Sequence, residues 1–220
     1  MYSAGAVIDG GVFLLGGGGH AKVLADELIS QKISIIAIVG PQCDSNSIIF
    51  RRIPLISDAD FKKSVSADGA LLINGVGSLP RTSLRQHLYD EYTSLGFGFV
   101  QVISSTALVS TSAFLGSGVQ VFAGAIIRCD ARVGNNTIIN TRAVIEHDCA
   151  IGSHCHIAPS ATLSGGVHLG DRSHIGTGAV VIQGVSIGSD SIIGAGAVVT
   201  KDVPDNAIFF PAVGTLKLRE

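Results

Sequence analysis

Charge is scarce in this 220-residue chain, and the scarcity removes several classes of function at once. Only 15% of the residues are charged and they sum to −2, so no basic footprint exists for nucleic acid or an anionic membrane. No apolar run reaches the length of a bilayer span. The opening MYSAGAVIDGG has no basic stretch leading into a long apolar core, so a secretory leader is not expected either. The four cysteines (Cys43, Cys129, Cys149 and Cys155) have neither metal-type spacing nor that of a disulfide framework. These absences point to a soluble, cytoplasmic protein whose 46% hydrophobic residues fill a sizeable interior. The length allows one large domain or two small ones.

The ordinary periods are also missing from more than half of the chain. Between Ile103 and Val203 neither the 3.6 of a helix nor the 2 of a flat strand fits. Instead an aliphatic residue recurs every six, at 103, 109, 115 and onward to 199, and all seventeen positions hold Ile, Leu or Val. Four residues after each sits a compact side chain, as at Ala107, Ala113, Val119, Ala125, Ala131, Thr137 and Ala143. Glycine commonly takes the second place, as in Val133-Gly134 and Ile151-Gly152. One bulky and one small inward residue per hexad describe a triangular β-solenoid with three hexads to a turn. Cys149 and Cys155 fall on the small inward position and are expected as buried thiols.

The first hundred residues alternate differently. Val12–Leu15 is read as a buried strand, Ala21–Ser30 as an amphipathic helix and Ile33–Val39 as a second strand. Asp58 is expected to cap a helix through about Ser66, Ala70–Ile73 to form a third strand, and Thr82 or Ser83 to open a helix to about Leu95. Alternating strands and helices make a small parallel βαβ domain over 1–101, followed by the solenoid over 102–220. Between the first strand and helix lie four glycines, Gly16 to Gly19, then His20. Such a loop brings bare backbone N–H groups and a helix N-terminus against an anion, usually a phosphate. Gly16-x-Gly18-x-x-Ala21 satisfies the dinucleotide fingerprint, but the acid expected at the end of the second strand is replaced by Gly40-Pro41, which argues against NAD.

Five of the seven histidines (147, 154, 156, 168 and 174) lie in the solenoid, none on an inward hexad position. His156 and His174 are eighteen residues apart, one turn, and should stack. His154 and His168 are expected as ordinary surface residues. Neighbours on a strand point to opposite faces, so spacing alone does not bring Asp148 to His147.

GGGGHAKV, then Val76-Gly77-Ser78 with Arg81 and Arg85, then the hexads with INTRAVIEHDC over Ile139–Cys149, together resemble one family along nearly the whole chain. It is similar to the hexapeptide-repeat sugar-nucleotide N-acetyltransferases of bacillosamine, perosamine and viosamine type, which are grouped with sialic acid O-acetyltransferases. The resemblance implies a Rossmann-like N-terminal domain and a left-handed parallel β-helix. It also implies acetyl-CoA as co-substrate and acetylation of the 4-amino group of a nucleotide-linked 4-amino-4,6-dideoxy sugar, for surface glycan or glycoprotein synthesis. UDP is the first choice of nucleotide, ahead of dTDP and GDP. By position, His147 would be the general base with Asp148 as its partner, a role suited to an imidazole. Gly18, Gly19 and His20 would hold the diphosphate, Gly77 would lie near the nucleoside and Asn140 near the sugar. His156, Gly165, Thr177 and Ala195 would contact the coenzyme. The family assembles as homotrimers with the site in the cleft between solenoids. The chain departs from the pattern at Gly40-Pro41, where many members carry an acidic pair, and at Phe209-Phe210-Pro211-Ala212, where they carry Gly-x-Pro-Ala. Three other readings compete: sugar O-acetylation on the same scaffold, a γ-type carbonic anhydrase with zinc on three histidines, and a non-catalytic solenoid that serves as a binding platform. The solenoid zinc motif is not evident, and no metal is expected.

Overall fold

A computed structural model of the chain describes residues 10–44 and 46–211. Its first part is a five-stranded parallel sheet in the order β3-β2-β1-β4-β5, formed by β1 (Val12–Gly17), β2 (Ile35–Cys43), β3 (Leu55–Ile56), β4 (Leu71–Asn74) and β5 (Gly98–Phe99). Three helices connect these strands: α1 (Gly19–Ser30), α2 (Asp58–Ser64) and α3 (Leu84–Ser94). Side-chain alternation along β1 divides the core. Val12 and Leu14 pack with Leu24 and Leu28 of α1, whereas Leu15 packs with Phe61 of α2 and Tyr92 of α3. Sequence reading missed β3, which is only two residues long. It also placed the α2 cap one residue late, because Ser57 accepts from the Asp60 N–H at 3.1 Å.

The end of β2 differs from expectation in a way that matters for the site. The strand does not stop at Val39 but continues through Gly40-Pro41 to Cys43, its register against β1 slipping between Leu15 and Gly17. Asp44 therefore stands directly at the strand end, where an ion pair with Lys22 of α1 holds it.

From Val102 the architecture changes. Eighteen two-residue strands, β6–β23, run from Val102–Ile103 to Ile208–Phe209 and stack every third one into three parallel ladders of seven, six and five strands. The register is eighteen residues almost throughout, for example Ile139 on Ile157 and Ile145 on Leu163. The inward residues are those the hexad predicts. Val121, Ile127, Ile139, Ile145, Ile157 and Leu163 are at most 1% exposed, with Ala125, Ala143, Cys149 and Cys155 at the corners. Burial pushes the Cys155 thiol up to about 12, leaving an inert packing group.

Corner geometry explains the remaining hexad places. The fourth place adopts a left-handed backbone, with φ of 54–60° at Asp130, Asn136, Arg142, Asp148 and His154. Asn and Asp tolerate that region best among residues with a Cβ. At the second place, a Cβ on Gly134 would sit 2.6 Å from the backbone of Gly152 one coil above, so only glycine lets the coils stack that closely.

Outward side chains give the three sides different surfaces. The first side presents Gln120, Ile138, His156 and His174, the second Leu108, Ile126, Val144, Thr162, Val180 and Val198, and the third Phe114, Arg132, Ala150, His168 and Ser186. The N-terminal part covers the first side: Val102, Phe122 and Ile138 join the α1 core cluster. A buried polar lattice fixes the junction. Arg85 of α3 donates to the carbonyls of Asn74, Val76 and Asn136, and Gln120 donates to Asn74 O at 2.8 Å.

Candidate active site

A cleft of about 1260 Å³ runs from the glycine loop and the end of β2, past Gly75–Leu79, to His156 on the covered side. The four glycines divide into two kinds. A Cβ on Gly17 would lie 2.6 Å from the Cβ of Cys43, and Gly16 has φ of 89°, so these two are required by packing and turn geometry. A Cβ on Gly18 or Gly19 would meet nothing within 4 Å. Both face the open cleft, where a ligand can reach their backbone. α1 starts at Gly19 with no side-chain cap and no acid in its first turn. Its N-terminal amides are therefore available to an anion. Gly77 lines the same cleft opposite His20. A polar group that sequence reading missed, Asp58, Lys62, Glu91 and Tyr92, lines it too. Lys62 pairs with both acids and Tyr92 donates to Asp58 at 2.5 Å.

His20 lines the cleft, but its ring is committed to the solenoid. Nε2 lies 2.8 Å from Gln120 Oε1, and the ring packs edge-on against Phe122. Because the Gln120 amide nitrogen already donates to Asn74, its oxygen must accept, which puts the proton on His20 Nε2. Burial, reinforced by the charge of Arg85, pushes the pKa down to about 4. This neutral ring carries no charge to offer an anion in the cleft.

His156 is committed as well. Its Nδ1 donates to Ser78 O at 3.0 Å, and its Nε2 accepts from Asn140 Nδ2 at 3.0 Å. The Asn140 amide is oriented by the Thr141 N–H, which donates to Oδ1 at 2.8 Å. Burial, with the neighbouring His174 and His20, takes His156 down to about 3. His174 stacks one turn away as expected, with ring centroids 4.9 Å apart.

His147 and Asp148 are arranged quite differently. They occupy not a strand but the corner between the second and third sides, both exposed, with Asp148 at φ of 60°. That backbone turn brings the carboxylate round to His147, and Nδ1 donates to Asp148 Oδ2 at 2.7 Å. The proton is thereby fixed on Nδ1, and Nε2 of this exposed ring is left without a hydrogen-bond partner among the described residues. Gly165, one coil above, makes room for this ring: a Cβ there would lie 2.6 Å from His147 Nε2. Thr177 and Ala195 stack, exposed, on the other edge of the second side. The expected residues thus form two groups within one chain. Gly18, Gly19, His20, Gly77, Asn140 and His156 gather around the cleft, whereas His147, Asp148, Gly165, Thr177 and Ala195 frame the uncovered second side.

His168 is exposed as expected, but His154 is not an ordinary surface residue. Its side chain is 14% exposed, its Nδ1 meets Asn136 Nδ2 at 3.0 Å, and its ring packs edge-on against Tyr89 of α3. The left-handed corner turns it toward the N-terminal part. Phe209 packs partly against the solenoid core while Phe210 is 75% exposed, and Ala212 lies outside the described residues. Among the described residues, no three His, Cys, Asp or Glu side chains converge as a metal site, and no helix is long and apolar enough to cross a membrane.

The bacterial transferase hexapeptide (six repeats) family model matches residues 130–165 and 166–201. No curated protein sequence matches the chain. Among solved structures, PerB from Caulobacter crescentus, in complex with CoA and GDP-perosamine, is similar at 39% identity with a TM-score of 0.82, over 92% of this chain and 94% of that one. A histidine-to-asparagine variant of perosamine N-acetyltransferase from the same organism, with the same two ligands, matches at 38% identity and a TM-score of 0.82 over the same shares. The acetyltransferase domain of PglB from Neisseria gonorrhoeae matches at 30% identity and a TM-score of 0.81, over 90% of this chain and 94% of that one.

Proposed function

The chain belongs to the hexapeptide-repeat sugar N-acetyltransferases that use acetyl-CoA, and on that footing we propose that it acetylates the C4 amine of a nucleotide-linked 4-amino-4,6-dideoxy sugar. The observation that carries this reading is the His147–Asp148 pair, an exposed imidazole with its Nε2 unpartnered. The sugar enters as an ammonium and must lose a proton before its nitrogen can attack. With that first proton released to solvent the free amine attacks, and His147 Nε2 takes a second proton from the nitrogen as the N–C bond forms at the thioester carbon and the C–S bond breaks. The leaving thiolate then receives the proton from the imidazolium. Backbone at Gly165, beside the His147 ring, is suited to stabilise the developing oxyanion. His156 serves differently: with both nitrogens engaged, it ties Asn140 to Ser78 and shapes the floor on which the sugar lies.

The nucleotide would lie in the cleft with its diphosphate on the amides after Gly18, and the N-terminal domain is Rossmann-like in this sense. The first choice of base moves from UDP to GDP, because identity is 39% to PerB, which was solved with GDP-perosamine, against 30% to the PglB domain. The His-acid segment behind the UDP preference does not itself read a base.

Base and cleft lie on different sides of one prism, so the complete site requires a second copy. The uncovered second side supports this: Leu108, Val180 and Val198 are 67%, 37% and 58% exposed on a face whose one polar outward residue is Thr162. Pairing that face with a neighbour in a homotrimer of about 68 kDa, three chains of 22.6 kDa, would carry His147 of one chain toward the cleft of the next. A thiol-release screen with acetyl-CoA against GDP-, UDP- and dTDP-linked 4-amino-4,6-dideoxy sugars tests the reading. Turnover with one of them is expected. Silence with all three, together with acetylation of free sialic acid, would replace it with O-acetyl transfer, and an active monomer in light scattering would remove the shared site.

A further inference from the structure

A second cavity, of about 340 Å³, lies between the start of α3 and the corner joining the third and first sides of the solenoid. It shares Ser78, Leu79 and Thr82 with the nucleotide cleft as a common wall, but contains none of the glycine-loop residues. Arg85 lines it and is 4% exposed. The Nε and Nη1 groups of this guanidinium are spent on backbone carbonyls of Asn136, Asn74 and Val76, while Nη2 is buried without an acceptor. No carboxylate pairs with Arg85 among the described residues, and burial lowers its pKa to about 9. An uncompensated buried cation is costly, and the N–H groups left over point to a missing anionic partner.

Two further features converge on the same space. His174 lines the cavity with Nδ1 buried and unpartnered. The eleven-residue helix α3 begins there, its Ser83 making no side-chain cap and its first turn holding no acid. Arg172 and Asp190 of the solenoid also line the cavity, but they match one another in a two-pronged pair at 2.8 and 2.7 Å. That pair contributes no net charge, which leaves Arg85 and the exposed Arg81 in excess.

We propose that this cavity is a separate oxyanion site, taking a phosphate or carboxylate group on Arg85 Nη2, the N-terminal amides of α3 and His174 Nδ1. A guanidinium edge combined with a helix N-terminus is well matched to either group. Because Ser78 both borders this cavity and accepts from His156, an anion here braces the wall of the nucleotide cleft from behind. The site stands independently of acetyl transfer, since a chain inactive toward every amino sugar could still bind the anion.

The test is calorimetric titration of the full chain with inorganic phosphate and, separately, with acetate, chloride holding the ionic strength constant. With the glycine-loop cleft saturated by UDP or GDP, one saturable site per chain is expected, not competed away by CoA or by either nucleotide, and the tighter of the two anions identifies the group. Ser83→Asp places a carboxylate at the α3 N-terminus, where it caps the helix, and should weaken the anion at least about tenfold. Arg85→Lys, which loses the forked edge, should do the same, and the Ser83 variant carries the test if that one does not fold. No saturable uptake of either anion, displacement by CoA or a nucleotide, or unchanged affinity in folded Ser83→Asp would overturn the proposal.

Discussion

Two sides of one solenoid, built on the same hexad and the same eighteen-residue register, end up with opposite chemistry. On the side covered by the N-terminal part, outward residues such as Gln120, Ile138 and His156 become an interior, and the side-chain polar atoms of Gln120 and His156 are all hydrogen-bonded. Burial holds the imidazoles of His20 and His156 neutral, and both are hydrogen-bonded. At the open edge of the neighbouring side, His147 keeps one nitrogen free and exposed, oriented only by Asp148. The inward residues of both sides are equivalent. Whether an outward histidine is locked in hydrogen bonds or left with a free nitrogen is decided by what lies over it.

The covered side should fail first in acid. The folded values of His20 and His156, about 4 and about 3, lie below the ordinary 6.5, and His154 and His174 are lowered in the same direction by burial. The unfolded chain therefore takes up protons before the folded one. Stability is complete above about pH 6.5 and is lost progressively as pH falls toward 4, by about 4 kcal/mol once the two larger shifts are discounted for partial solvation. Urea unfolding at pH 7, 6, 5 and 4 checks this, and a midpoint that stays flat from 7 to 5 would remove the contrast between the sides.

The open edge should respond in rate and not in stability. His147→Ala is expected to lower turnover by about a hundredfold or more while the unfolding midpoint stays put, because the exposed ring supports nothing in the core. Gly165→Ala should cost less, about tenfold in kcat, by pushing the imidazole off its position without touching the coil interior. Steady-state kinetics with the sugar nucleotide identified in the screen separate the two. If Gly165→Ala shifted only the coenzyme KM, its role would be direct contact and not room for the ring.

How far these features were legible in sequence depends on repetition and reach. The hexad declares itself because seventeen copies of one local rule specify the core, and the inward residues follow from it. The His147–Asp148 contact was hidden because it depends on a left-handed φ at the fourth hexad place, a feature of corners that strand alternation does not describe. The end of β2 was misread because Gly40-Pro41 looks like a terminus, whereas the strand slips register and continues, bringing Asp44 to its end. The polar junction of Arg85, Asn74, Gln120 and Asn136 joins residues up to 62 apart, for which no local pattern exists.

The smallest expected effect is the sharpest check on how the histidines divide. His154 was expected at the surface, yet it bonds Asn136, stands 3.9 Å from Asp90 and packs on Tyr89, all at the junction of the two architectures. His154→Ala removes one part-buried hydrogen bond and an edge-on aromatic contact, so a loss of about 1 kcal/mol, or about 2–4 °C in Tm, is expected. Turnover should be unchanged, since the ring faces neither the nucleotide cleft nor the His147 edge. His154→Gln, which can still bond Asn136, should recover part of the lost stability. If His154→Ala instead matched His147→Ala in turnover at full stability, the base would be misassigned, and the open edge would have to yield its catalytic role to the junction.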